Sequence, residues 1–267
     1  MVDVTRSPKL QMPLRIGLII PTSNRLSEPQ FHRYAPEGVA IHTTRLRMTG
    51  PYHTSLQELL PRAVAAAELL ADARCDIIVF HCTGSSMRDG LEVERQVIDA
   101  IQEATGRLAT STASALLAAL EAMDARKIVL TNPSTEEGLE SETQFVESAG
   151  YEVVHGRAVG LPGSDGFVAE PGETWVQVAI EEQDPRADLT LMACTNLHTT
   201  EVIQEMEAAT GRPVLTSNQS TLWYCLRRLG RNDDIPELGQ LFKLPLKAGS
   251  EQAKAAQSAL VGAAIAS

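Results

Sequence analysis

The chain has 267 residues with 34 acidic against 23 basic side chains, a net charge of -11 that on average repels a nucleic-acid backbone or an anionic membrane surface. Its 43% hydrophobic content is enough to bury the core of one or two globular domains. No stretch reads as a signal peptide or reaches the roughly 18 apolar residues of a membrane span, so the expectation is a cytoplasmic protein.

The first apolar run, 15–20, reads as a strand. The polar stretch Ser27-Glu-Pro-Gln-Phe-His-Arg-Tyr34 follows, and with the segment 47–55 it reads as a surface loop or a mobile cover over a cleft. A second strand is expected at 39–45. The helix at 55–73 comes next, with Leu56, Leu59, Leu60, Val64, Ala67 and Leu70 near the helical period of 3.6. Strand 76–81, helices 93–105 and 114–123, strand 127–131, helix 137–149, strand 152–157, helix 174–183 and strand 189–193 continue the alternation. Helices at 200–210 and 221–229 close it, and Gly106, Gly150, Gly211 and Gly230 each follow a helix, where positive φ ends a helix at little cost. The Ala-rich tail after Ala248 has helical spacing at Leu260 and Val261 and is expected to pack on the first half or on a second subunit.

Strands alternating with helices predict an α/β protein with parallel sheets covered on both faces. An internal repeat sharpens this. Ile16-Gly-Leu-Ile-Ile-Pro21 aligns with Ile128-Val-Leu-Thr-Asn-Pro133, and the same offset carries Asp76 onto Asp188, Cys82 onto Cys194 (194 − 82 = 112) and Thr83 onto Thr195. Ala104-Thr-Gly-Arg107 recurs as Ala209-Thr-Gly-Arg212, and Thr110-Ser111 as Thr216-Ser217. The expectation is a duplicated fold with a pseudo-two-fold axis.

Four cysteines without C-x-x-C spacing or a clustered histidine argue against zinc and against a disulfide framework. Free cysteine is most often a small buried hydrophobe, and Cys75 and Cys225 keep that reading. Cys82 and Cys194 differ. Each follows an apolar strand at the carboxyl end of a parallel sheet, where ligands bind, and each precedes small or hydrogen-bonding residues, Thr83-Gly-Ser-Ser86 and Thr195-Asn196. Backbone N–H groups after each sulfur can hold a carboxylate and are expected to lower the thiol pKa. If the halves face each other, one substrate meets a nucleophile or base on one side and an acid on the other.

At these residues the sequence resembles maleate cis–trans isomerases and arylmalonate decarboxylases of the aspartate/glutamate racemase superfamily. The resemblance rests on Ile20-Pro-Thr-Ser-Asn24, His81-Cys-Thr-Gly-Ser85, Ala193-Cys-Thr-Asn196 and Thr216-Ser-Asn-Gln-Ser-Thr-Leu-Trp223. It implies two pseudo-symmetric lobes, each a mostly parallel four-stranded sheet flanked by helices, with the site in the cleft between them. Residues 14–120 plus 218–267 would form the first lobe and 121–217 the second. It also implies a homodimer and a reaction without metal or organic cofactor.

Arylmalonate decarboxylases keep only the second cysteine, so two cysteines favour isomerisation of a small unsaturated dicarboxylate, Cys82 adding to the double bond and Cys194 supplying the proton. A racemase, an arylmalonate-type decarboxylase and a non-catalytic carboxylate-binding protein are the alternatives. The resemblance places Asn24 on a substrate carboxylate, with Thr22, Ser23, Thr83, Gly84, Ser85, Thr195 and Asn196 as further binding residues. Two departures stand out. Thr131-Asn-Pro-Ser134 replaces the usual Thr-Pro-Tyr, leaving Ser134 or Thr135 in place of the tyrosine hydroxyl, and Asp165-Gly-Phe167 replaces an Asp-Asn pair, which leaves Phe167 to reshape the pocket.

Among the remaining residues, His81 is expected to be structural because strand alternation points it away from Cys82, while His198 is open between base and bystander. Arg25, Arg33 and Arg47 are possible carboxylate contacts. Glu136-Glu137 and Asp233-Asp234 read as helix-start or surface charges.

Overall fold

The computed structural model describes residues 12–49 and 54–247, so the Ala-rich tail and part of the 47–55 segment lie outside the described residues. The first sheet contains β1 (Leu14–Pro21), β2 (Val39–Leu46), β3 (Ile77–Phe80) and β4 (Leu108–Ser111) in the order β2-β1-β3-β4. The second contains β5 (Lys127–Asn132), β6 (Glu152–Ala158), β7 (Leu189–Met192) and β8 (Val214–Thr216) in the order β6-β5-β7-β8. Every strand pair is parallel, and the two orders are the same when the second half is laid on the first. The chain is thus a two-lobed α/β protein of the racemase-like type.

The repeat has a physical meaning in both lobes. Asp76 accepts the Arg15 backbone N–H at 2.7 Å, and Asp188 accepts those of Arg126 and Lys127 at 2.8 and 2.9 Å, so each aspartate ties its strand to the start of the central strand. The two Ala-Thr-Gly-Arg runs end α4 (Gly90–Thr105) and α9 (Ile203–Thr210) with left-handed glycines, Gly106 at φ 64° and Gly211 at φ 67°. One match shifts. Phe80 pairs with Ser111 and Met192 with Thr216, so the equivalent of Thr216 is Ser111, not Thr110. Ser111 and Thr216 are the N-caps of α5 (Thr112–Ala122) and α10 (Ser217–Arg228).

Both faces of the first sheet are buried, as a doubly covered parallel sheet requires. Ile77 and Val79 face the core shared with α5, α10 and the second sheet, whereas Ile78, Phe80 and Cys82 face α2 (Leu56–Asp72) and α4. The edge strands β4 and β8 escaped the sequence reading because Leu-Ala-Thr-Ser and Val-Leu-Thr hold no long apolar run.

A larger difference concerns 27–34. The stretch is a helix, α1 (Ser27–Tyr34), with Ser27, Gln30, Phe31 and Tyr34 buried, and not a loop or cover. Its inward stripe has helical spacing but is half polar, so hydrophobic periodicity could not reveal it. Three more helices complete the second half: α6 (Glu136–Ser148), α7 (Gly163–Ala169) and α8 (Gly172–Glu181). The five-residue α3 (Thr83–Met87) follows Cys82 directly. Among the described residues no helix is long and apolar enough to cross a membrane.

Candidate active site

The carboxyl ends of both sheets open onto one cavity of about 260 Å³ between the lobes. Cys82, Thr83, Gly84, Ser85, Ser23 and Asn24 line it from the first half, and Cys194, Thr195, Asn196 and Ser134 from the second. Cys82 is the N-cap of α3 and donates to Ser85 Oγ at 3.3 Å, while the Asn196 backbone N–H donates to Cys194 Sγ at 3.3 Å. The two sulfurs lie close enough that a charge on Cys82 raises the Cys194 thiol further.

The electrostatic expectation is corrected here. Backbone N–H groups do face each sulfur, yet burial outweighs them, and both thiols are pushed above the ordinary cysteine range. Both are therefore protonated at neutral pH. Cys75 and Cys225 are buried away from it, pushed up to about 11 and about 12, chiefly by burial. Cys75 packs against Gly17, where an added Cβ would stand 3.0 Å from its Sγ.

Asn24 sits in the wall, but its amide is committed to holding the lobes together. Nδ2 donates to the Thr195 carbonyl and hydroxyl at 3.0 and 3.1 Å, and Oδ1 accepts the Leu26 and Ser27 N–H groups. In this geometry it organises the Thr195-Asn196 turn and leaves no donor for a carboxylate. Asn196 has the opposite character: its Oδ1 accepts from Arg25 N at 2.9 Å, while its buried Nδ2 has no partner. An unpaired buried donor on a cavity wall is costly unless a ligand acceptor meets it.

Two of the sequence candidates lie outside the lining. Thr22 is exposed, its backbone N–H donating to the Leu46 carbonyl and its own carbonyl accepting from Arg45, and Thr135 caps α6 by accepting the Gly138 N–H at 3.3 Å. His81 is fully buried, with Nε2 on Asn218 at 2.9 Å and Nδ1 on Thr112 at 3.0 Å, and burial pushes it down to about 4. It is structural. His198 stands 3.8 Å from Glu201 and does not line the cavity. Arg25 bridges the rim by pairing with Asp165 at 2.7 Å, Arg33 stacks over Tyr34, and neither they nor Arg47 line the cavity.

Sequence reasoning missed Arg88, Asn132 and Glu142, all in the lining. Arg88 follows α3 and reaches the Thr54 carbonyl at 3.2 Å. Asn132 and Glu142 are joined by a 2.6 Å hydrogen bond, and burial pushes Glu142 up to about 8. Phe167 supplies an aromatic wall, as the departure at 165–167 suggested. Among the described residues no group of three or more His, Cys, Asp or Glu side chains is placed to hold a metal ion.

A family model for arylmalonate decarboxylase matches residues 16–242. The chain belongs to this family. Maleate isomerase of Pseudomonas putida is 28% identical over 85% of the chain and 96% of the relative. Arylmalonate decarboxylase of Bordetella bronchiseptica is 24% identical over 85% of the chain and 95% of its own length. Among solved structures, a cysteine-to-serine variant of the Nocardia farcinica maleate cis–trans isomerase with a covalently bound succinylcysteine intermediate superposes with a TM-score of 0.78 at 25% identity, covering 86% of this chain and 98% of that one. The family lies within the aspartate/glutamate racemase superfamily, and its membership makes this chain an enzyme of the isomerase and decarboxylase type.

Proposed function

We propose that this enzyme isomerises a small cis-unsaturated dicarboxylate of the maleate class without metal or organic cofactor, Cys82 acting as nucleophile and Cys194 as acid and base. The observation that carries the reading is the presence of both thiols, from equivalent positions of the two lobes, in one cavity of about 260 Å³. That volume suits a substrate smaller than the drug-sized ligands that occupy roughly 300–1,000 Å³.

The reaction balances on the pair. Once Cys82 has given its proton to solvent water, its thiolate adds to one olefinic carbon while the Cys194 thiol protonates the other, forming a C–S and a C–H bond, breaking the carbon–carbon π bond and the Cys194 S–H bond, and leaving Cys194 ionised. Rotation about the resulting single bond follows. Cys194 then removes the added proton as the C–S bond breaks, which returns the Cys82 thiolate and the Cys194 thiol and releases the trans isomer. The charge that builds on a carboxylate during addition meets the N–H groups at the start of α3 and the unpaired Asn196 amide, donors that need no rearrangement. Only one sulfur is ionised at any stage, in keeping with their mutual repulsion.

A racemase or decarboxylase is the second reading, favoured by one observation: a protonated Cys194 beside an aromatic wall suits proton delivery to a carbanion. Proton NMR in deuterated water with maleate, aspartate and phenylmalonate separates them. One-to-one conversion of maleate to fumarate, lost in Cys82→Ala and in Cys194→Ala, is expected. Deuterium at an α-carbon or release of carbon dioxide, with maleate untouched, overturns the isomerase assignment.

A further inference from the structure

Glu142 has no part in the thiol chemistry, yet it occupies the same cavity. It lies on α6 at 3% exposure, and its Oε2 accepts from Asn132 Nδ2 at 2.6 Å. The orientation of that amide is fixed, because Asn132 Oδ1 accepts the Ser134 backbone N–H at 2.6 Å and so must be the oxygen. The Ser134 hydroxyl donates to the same Oδ1 at 2.6 Å. Gly138 makes room for the arrangement, since a Cβ there would stand 2.7 Å from Ser134 Oγ. The network leaves Glu142 Oε1 without a protein partner among the described residues. With Oε2 committed as an acceptor, a proton on the carboxyl rides on Oε1.

We infer that Glu142 is a substrate-binding residue whose neutral carboxylic acid donates a hydrogen bond to a substrate carboxylate, so that the cavity selects small dicarboxylates. This deepens the reading given above and rests on its substrate class. The other titratable groups in the lining are Cys82, Cys194 and Arg88. Charges on the elements packed against α6 turn elsewhere: His155 and Arg157 of β6 pair with Glu182, and Asp89, ahead of α4, accepts the Leu56 N–H. Glu136, Glu137, Glu140 and Glu147 of α6 itself are exposed. Arg88, the cation in the lining, donates to the Thr54 carbonyl, and burial dominates at Glu142, keeping it protonated up to about pH 8. A neutral acid adds a donor without adding charge, whereas an ionised one both loses the donor and repels a dianion.

Succinate, which has no double bond and cannot react, tests this by calorimetry between pH 7 and 9. Because only the protonated form binds, affinity of the parent should fall about tenfold over that range. Glu142→Gln keeps a donor toward the cavity and an acceptor toward Asn132, so it should bind about as tightly at pH 7 and lose the alkaline decline. Glu142→Leu should bind roughly tenfold more weakly at pH 7 with no decline. Infrared difference spectra give a readout independent of affinity: the parent should show a protonated-acid carbonyl band that shifts when succinate binds and is absent from Glu142→Gln. Succinate binding that is absent, or equal and flat in pH for parent and Glu142→Leu, overturns the inference. If succinate binding follows the expected pattern while maleate is not turned over, the isomerase reading fails and the role of Glu142 stands.

Discussion

Acid should weaken this protein through one imidazole. His81 is held neutral between Asn218 and Thr112, and its tautomer follows from the network: Asn218 Nδ2 donates to the Thr195 carbonyl, so Asn218 Oδ1 must accept from His81 Nε2–H. The ordinary value of 6.5 is pushed down to about 4 by burial. The native state therefore stays neutral where the unfolded chain takes up a proton below pH 6.5. The stability in question is complete above pH 6.5 and is lost as pH falls toward 4. At 1.36 kcal/mol per unit the loss approaches about 3 kcal/mol, roughly half of it by pH 5. Glu142 runs in the opposite sense, since its raised pKa makes the fold gain stability as pH falls from about 8 toward its ordinary range. The comparison must therefore be between the parent and His81→Gln, which keeps one donor and one acceptor but cannot titrate. Urea denaturation of both at half-unit steps from pH 7 to 4.5 should show the parent losing about 2 kcal/mol relative to the variant over that range. A difference that stays constant across the window would refute a neutral buried imidazole at this position.

Asn24→Ala removes two donors and two acceptor contacts at the junction of the lobes and should cost roughly 2–4 kcal/mol, read from the urea midpoint. Gly138→Ala, although helix-favouring, should push Ser134 off Asn132 and weaken succinate binding severalfold, while thermal stability changes by under about 1 kcal/mol. Iodoacetamide should react slowly at pH 7 and faster as pH rises, because burial raises every thiol. Peptide mass mapping without denaturant should find Cys194, the half-buried one, modified first and Cys75 and Cys225 unmodified.

What the residues announced on their own was the architecture and the thiol pair. The four central strands β1, β3, β5 and β7 were legible because a strand buried on both faces must be a nearly unbroken apolar run, and the repeat was legible because duplicated strands keep duplicated requirements, such as an aspartate to anchor each lobe's central strand. Cys82 and Cys194 stood out for the same reason. Ser27 and Gln30 did not, since their burial is permitted by hydrogen-bond partners about 170 or more positions away, among them the carbonyls of Thr195 and Leu197 and the side chains of Thr200, Glu201 and Asn218. Glu142 could not be singled out either: in sequence it is one more acidic residue on a charged helix. Only the tertiary structure decided that this carboxyl is buried in the cavity of the thiols, that Asn24 ties the lobes together, and that both sulfurs are protonated at rest. Periodicity along a chain records which residues leave water; which polar groups then meet, and with what charge, depends on the lobe that folds against them.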